Sequence, residues 1–358
     1  MGARVLVGNR AGLVRGELRD GSIGGVTWRL NKPGSATVTV ARGATAFRRD
    51  WLEPGARVYV EFDNGLPAWG GILDLPRTWH RGYLEMRAHT IERLLKFSIT
   101  PKTRAFYSEV VGSIFSQILQ EADARSRLGI TIGSVWRGGA GHYPRYHFRA
   151  ATWVVDSSIR KMEVCDYRFV PYLDGNVVKF RADLEQVLGD DKRNRVALIQ
   201  GKNVTHATLT EQGDIVNRVA VVGAGSTWGE REVIWAVEEE SRRRYGLREA
   251  MIAPADVSQA VTLNRYADNA IRDNAYPHTL ADLDVADVSP SRFADYDVGD
   301  IVRVVLQSYH FDGYDAAMRI VARGYNPRTG ECNLVCDERF EYAPILRGED
   351  EYQPGEGT

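Results

Sequence analysis

Cysteine is nearly absent from this chain of 358 residues: there are three, Cys165, Cys332 and Cys336. Three scattered thiols cannot build a disulfide framework, so an apolar core must hold the fold. Cys332 and Cys336 fall four apart on one expected strand, half of a metal-ligand pattern, but no second ligand pair lies nearby. They read as buried thiols packing as small hydrophobes, and neither a metal nor a cofactor is expected. Long apolar runs are missing too. None approaches the roughly 18–20 residues that span a bilayer, so no membrane anchor is expected. A surplus of charge is the third absence: 46 Lys+Arg against 47 Asp+Glu leave a net charge of -1. That balance excludes a chain whose affinity for nucleic acid or membrane surface rests on overall basicity. The first residues, Met1 to Gly12, lack the apolar stretch of a signal peptide, and Leu6 stands where a myristoylation signal wants Ser or Thr. Folding in a cytoplasm is the expectation.

Catalytic signatures are also lacking. The sequence has no G-x-x-x-x-G-K-[ST], no H-E-x-x-H and no G-x-S-x-G. Gly223 to Gly229 runs G-x-G-x-x-x-G after an expected strand, but a polar, strand-like segment follows instead of an amphipathic helix. It reads as a strand-ending turn and not as a dinucleotide loop. The seven His are dispersed; His142 and His147 flank Tyr143 and Tyr146 in a loop after Gly138-Gly139-Ala140-Gly141. Arg242-Arg243-Arg244, preceded by Glu238-Glu239-Glu240, reads as a self-neutralising solvated loop. No catalytic set emerges, and the chain is not expected to be an enzyme. The alternative is a loop-based carbohydrate-binding or hydrolytic β protein drawing its site from Gly138–His147.

What is present is mostly strand. Arg4–Val7, Val26–Leu30, Ala36–Val40, Arg57–Phe62, Trp69–Leu75 and Tyr83–Thr90 are short, partly alternating, and separated by Gly, Pro, Asn or Asp. Residues 1–96 are expected to form a small antiparallel barrel. Residues 97–190 read as an α+β module. It has a helix over Tyr107–Arg125 capped by Ser108 with Glu109 in its first turn, and a second helix from Thr152 to about Glu163. A hairpin then turns at Asp174-Gly175. Strands resume at Val196–Gln200, Val204–Thr210 and Ile215–Val222, and again at about 286–290, 301–308, 316–324 and 331–340. Residues 191–225 and 286–346 are read as a discontinuous second barrel, with Gly213–Gly225 pairing with Val298–Leu306 across the insert. Residues 226–285 form that inserted α/β module, whose helix opens at Pro254 and Asp256 and places Val257, Ala260, Val261, Leu263, Ala267, Ala270 and Ile271 inward. Residues 347–358 are acidic and rich in Gly and Pro, the composition of a disordered tail.

Two stretches repeat one order of signals. Pro54-Gly55-Ala56-Arg57-Val58-Tyr59-Val60, a turn at Asn64-Gly65, Trp69–Leu75 and Gly82 match Val298-Gly299-Asp300-Ile301-Val302-Arg303-Val304, a turn at Asp312-Gly313, Met318–Val321 and Gly330. A duplicated barrel would let a trimer present six quasi-equivalent units around one axis. Asp282, Asp284, Asp287, Asp295, Asp297 and Asp300 cluster before the late strand. They are read either as solvated loops and caps or as an acidic lumen lining that repels passing DNA, whose duplex carries about one charge per 1.7 Å of axis.

Four features in this order resemble the central tail hub (baseplate hub) proteins of tailed bacteriophages. They are Gly55…Val58-x-Val60…Trp69-x-Gly71-x-Leu73, Ile215-Val216-Asn217-Arg218-Val219-x-Val221-x-Gly223, Tyr245-Gly246-Leu247-Arg248-Glu249, and Gly299-Asp300-x-Val302-x-Val304. The resemblance implies a β-dominated multidomain (α+β) fold: two small tube-like antiparallel β-barrels, the second interrupted, plus two peripheral α/β modules. It also implies a homotrimeric ring at the tail tip that adapts a six-fold tube to a three-fold tip. The partners implied are a distal tail or tail tube protein, a tape-measure protein, and tip or fibre proteins, with DNA passing through unbound. The location implied is the virion, assembled in the host cytoplasm. Relatives with long C-terminal extensions carry peptidase or receptor functions; here the last strand is soon followed by Thr358, so those functions are expected in other proteins.

Overall fold

The computed structural model describes residues 2–18, 22–225, 227, 229, 231–254, 257–307 and 313–339. The first third holds β1 (Ala3–Gly8), β2 (Val14–Leu18), β3 (Ile23–Arg29), β4 (Ser35–Ala41), β5 (Arg57–Phe62), β6 (Trp69–Trp79), β7 (Tyr83–His89) and a helical turn α1 (Glu92–Leu95). Next come β8 (Arg104–Ala105), α2 (Val111–Ser126), β9 (Ile130–Val135), β10 (Arg145–Tyr146), a π-helical segment Trp153–Ile159, α3 (Arg160–Met162), β11 (Asp166–Asp174) and β12 (Val177–Glu185). The remainder is β13 (Ala197–Ile199), β14 (Val204–Gln212), β15 (Arg218–Val222), β16 (Val233–Val237), α4 (Glu239–Tyr245), β17 (Glu249–Ile252), α5 (Ala260–Asn274), β18 (His278–Val285), β19 (Ile301–Leu306), β20 (Tyr314–Asn326) and β21 (Glu331–Asp337).

Alternation makes the strands. In β4 Ala36, Val38 and Val40 point inward, and in β7 Leu84, Met86 and Ala88 do. A period of two puts such residues on one face, which must then be covered. β2 escaped the sequence reading because Val14-Arg-Gly-Glu-Leu18 is largely polar; it is an edge strand, paired in the sheet only with β1.

The strands join in one large, mainly antiparallel sheet, in the order β14-β18-β21-β20-β3-β4-β7-β6-β5-β1-β2, with β19 on β20 and β13 on β19. β20 makes this continuity. Its first half pairs with β19 and its second half, Ala322 to Tyr325, pairs with β3. Two apolar clusters lie along it, one around Val5, Val38, Val60 and Leu73, the other around Leu198, Leu283, Val304 and Leu334.

The sequence repeat recurs in three dimensions. β5-β6-β7 and β19-β20-β21 are both antiparallel meanders with a long, irregular middle strand. Gly55 N–H donates to Leu73 O while Leu73 N–H donates to Ala56 O (both 2.8 Å); Gly299 N–H donates to Ile320 O (2.8 Å) while Ile320 N–H donates to Asp300 O (2.9 Å). Both glycines have positive φ, 90° and 103°. The same two-bond lock thus opens each meander.

Several expectations change. The strand over Ile215–Val222 does not pair with the strand after Val298. It shortens to β15, the centre of a three-stranded sheet β16-β15-β17 with β16 antiparallel and β17 parallel to it. Conversely, residues 278–285, expected within the insert, form β18 between β14 and β21, and 286–290 is not a strand. Its alternation decides this: Ala281, Leu283 and Val285 are buried while Asp282 and Asp284 are exposed. α2 starts at Val111, four residues later than expected. Ser108 has φ 53° and caps nothing, and Glu109 pairs its backbone with His142. The segment after Thr152 is π-helical, and Thr152 makes no cap hydrogen bond. The hairpin turns at Gly175-Asn176, because Asp174 already pairs with Val177. Arg242–Arg244 are helical: Glu238 caps α4, Glu239 and Glu240 occupy its first turn and the arginines its last, which suits the helix dipole at both ends. In α5, Val261 is exposed and Val257 precedes the helix. The expected roles of Asp256, Asp312 and residues 347–358 lie outside the described residues.

Three segments distant in sequence meet at a buried polar lock. Arg319 on β20, 1% exposed, donates to Asp166 Oδ2 at 2.5 Å, to Leu188 O at 2.6 Å and to Gly299 O at 3.0 Å. Asp166 on β11 also accepts from Asn31 Nδ2 at 2.6 Å and from Leu188 N–H at 3.0 Å. Asn31, in the left-handed region with φ 57°, accepts from Tyr167 N–H at 2.8 Å. A buried charge must be paired and hydrogen-bonded to be tolerated, and here one ion pair binds the β3–β4 loop, β11 and β20 together.

Candidate functional site

The residues singled out from sequence do not converge. Asp282 and Asp284 are exposed on β18 and share Asn333 Nδ2, at 2.5 and 3.3 Å. The other four serve local structure. Asp287 accepts from Phe293 N–H and Asp295 from Arg292 N–H. Asp297 accepts from Val298 N–H and lies 3.8 Å from Arg323. Asp300 is buried, 2.8 Å from Lys192, and accepts from the N–H groups of Asp190 and Asp297. The loop Gly138–His147 is not a free surface loop. His142 is fully buried, with Nε2 3.1 Å from Glu163 Oε1, which also accepts from Ala140 N–H at 2.9 Å. Burial would raise the Glu163 carboxyl, but the hydrogen bonds from His142 and Ala140 hold it below its ordinary value. Ser226 and Trp228 of the glycine-rich turn lie outside the described residues. All three cysteines are buried, which raises Cys165 and Cys332 to about 12; such thiols are inert.

Two exposed apolar surfaces stand out instead. The first is the outer face of the β16-β15-β17 sheet. Its inner face, with Val219, Val221, Ile234, Ala236 and Ile252, packs against Leu263, Tyr266, Ala267 and Ala270 of the neighbouring helix. The outer face carries Val233, Trp235 (53% exposed), Val237 and Met251 (65% exposed), with Arg218 stacked 4.2 Å from the Trp235 ring centroid. Val233-Ile-Trp-Ala-Val237 is apolar at every position, a pattern that calls for cover on both faces. That signal was present in the sequence.

The second is an irregular antiparallel ribbon. Residues 98–109 run against 142–151 through Ala151 N–H to Ser98 O, Thr100 N–H to Arg149 O, β8 with β10, Phe106 N–H to Pro144 O and Glu109 with His142. One side buries Ser98, Thr100, Phe106, His142 and Tyr146. The other presents Ile99, Tyr107 (71% exposed), Tyr143 and Phe148 (63% exposed). Phe148 itself, and Ser108 beside Tyr107, have φ near 50°, a conformation that costs about 1–3 kcal/mol in a non-glycine residue. Backbone strain and exposed aromatics coincide, as at interaction sites.

These features belong to a protein built on one large continuous sheet with smaller sheets and helices beside it, and the whole fold is that of phage tail proteins. The structure superimposes on the tail protein from Neisseria meningitidis MC58 with a TM-score of 0.62 at 13% identity, covering 96% of this chain and 99% of that one. It matches the prophage MuSo2 43 kDa tail protein from Shewanella oneidensis with a TM-score of 0.59 at 13% identity, over 95% and 98% of the two chains. A component of the E. coli type VI secretion system, described as similar to T4 bacteriophage tail proteins, matches with a TM-score of 0.54 at 10% identity, over 96% of this chain and 77% of that one. No protein-family model and no curated protein matches the chain.

Proposed function

We propose that this chain is a structural subunit of a phage tail tip: a hub that forms a homotrimeric ring, adapts a six-fold tube to a three-fold tip and surrounds the DNA channel. The observation that carries the reading is the near end-to-end match to tail proteins, 95–96% of this chain against 98–99% of two of them. The paired meanders support the symmetry argument. If each belongs to a tube-like barrel, three chains offer six similar units to a six-fold partner. In this reading the outer face of the β16-β15-β17 sheet and the aromatic ribbon are contact surfaces for neighbouring copies or for distal tail, tube, tape-measure and fibre proteins. Asp282 and Asp284, exposed on β18, are acids that this reading assigns to a lumen, where they would repel passing DNA. The work is mechanical and its place is the virion.

Light scattering with particle imaging tests this. Three-fold rings near the mass of three 40.0 kDa chains, about 120 kDa, are expected. A chain that stays monomeric with tail-tube and distal tail partners present would refute the ring.

A further inference from the structure

Where these three segments meet, beside the polar lock, the molecule holds a cavity of ≈ 310 Å³. Leu30, Tyr167, Phe169 and Leu188 give it apolar walls from the β3–β4 loop, β11 and the segment before β13. A volume of this size with a few polar groups in an apolar wall is the usual form of a small-ligand site. Two lining residues hold buried polar atoms that have no hydrogen-bond partner among the described residues: Glu92 Oε2 and Trp28 Nε1. Glu92 is 7% exposed. A buried carboxylate oxygen left without a donor costs about 1–3 kcal/mol or more, so a ligand donor that reaches Glu92 Oε2 would be stabilised there.

Glu92 is buried, and the second lining carboxylate, Asp297, lies 3.8 Å from Arg323; the lining cations Arg29, Lys32 and Arg181 are exposed and Arg168 is half-buried. Arg168 and Arg181 share Asp183, at 3.3 and 3.0 Å, and Arg168 also lies 3.8 Å from Glu185, so two carboxylates balance the two guanidiniums. Arg29 and Lys32 are left to face a ligand. An occupant must therefore carry a hydrogen-bond donor or cation at its inner end, an apolar body, and an anion at its outer end.

We propose that this cavity binds an aminoalkyl chain bearing an anionic group: the ammonium reaches Glu92, the methylenes lie against Tyr167 and Phe169, and the anion sits at Arg29 and Lys32. A free ω-amino acid and a lysine side chain next to an acidic residue share this chemistry. Burial raises the Glu92 carboxyl to about 7, partly offset by hydrogen bonds from Thr90 and its own backbone, so an ammonium would find it ionisable near neutrality. The inference does not rest on the tail-tip reading, since it concerns the single chain.

Titration calorimetry of the full chain with 6-aminohexanoate, hexylamine, hexanoate and N-acetyl-Lys-Glu tests it. Both amino-carboxylates should bind, hexanoate should not, and Glu92→Gln should weaken binding at least about ten-fold. Arg29→Ala with Lys32→Ala should weaken 6-aminohexanoate and leave hexylamine unchanged. The tighter of the two amino-carboxylates tells whether a free molecule or a protein segment is the natural source. Ala68→Leu, which narrows the cavity while keeping the carboxyl, should also reduce binding, so a misfolded Gln variant would not leave the question open. No heat from either amino-carboxylate at about 10 mM, a concentration that detects even millimolar affinity, or equal binding by the Gln variant, would overturn the proposal and leave a solvent-filled void.

Discussion

Glu92 makes stability depend on pH in a direction opposite to most carboxylates. Its side chain sits in the turn after β7, buried, with one oxygen lacking a donor, and desolvation raises it from 4.5 to about 7. Below the unfolded value both states are protonated and the site costs nothing. As pH rises from about 4.5 to 7 the unfolded chain releases a proton that the folded chain retains, so folding stability falls across that window. Above about 7 the loss is complete. At 1.36 kcal/mol per pH unit, the shift corresponds to about 3 kcal/mol. Glu92→Gln removes the titration and keeps the shape. Urea unfolding at pH 5, 6, 7 and 8 should show the wild type losing about 2.5 kcal/mol relative to the Gln variant between the ends of the series, the rest having been lost below pH 5. Parallel profiles for the two proteins would refute the assignment, because a carboxyl exposed to water, or satisfied by a buried donor, would not respond in this window.

The remaining predictions concern packing and assembly. Breaking the buried pair by Asp166→Ala should cost about 3–5 kcal/mol, since it leaves Arg319 charged and uncompensated; a double variant, Asp166→Ala with Arg319→Met, should recover part of that loss in the same denaturation assay. Gly299→Ala should destabilise more than Gly55→Ala although both have positive φ. A Cβ at Gly299 would stand 2.6 Å from Leu188 O, whereas at Gly55 the nearest atom is the flexible Arg10 side chain at 3.5 Å; equal thermal shifts would contradict the close approach. Trp235→Glu on the outer face of the peripheral sheet should leave circular dichroism unchanged and shift light-scattering mass toward the monomer. Unaltered assembly would remove that face from the interface while leaving the ring itself to be judged by the wild type.

Local pattern determined much of this protein. β4 and β7 were legible because alternating Val, Leu, Met and Ala specify both a strand and its inward face. The duplicated meander was legible because Gly55 and Gly299 sit where a turn needs positive φ. The uncovered sheet face was written in Val233–Val237, five apolar residues in a row.

Pairing across the chain was not legible. Ile215–Val222 and Val298–Leu306 carry interchangeable strand signals, and nothing local tells which partner each will find. Only the helix α5, covering one face of β15, and the length of β20, reaching from β19 to β3, decided that. The acidic cluster was likewise split by tertiary structure, because a carboxylate that accepts backbone N–H groups and one that faces water look the same in a sequence. Nor could the Glu92 cavity be read beforehand. Its walls come from three distant segments, and a carboxyl pushed to about 7 is a property of the apolar surroundings they build, not of the residues on either side of it.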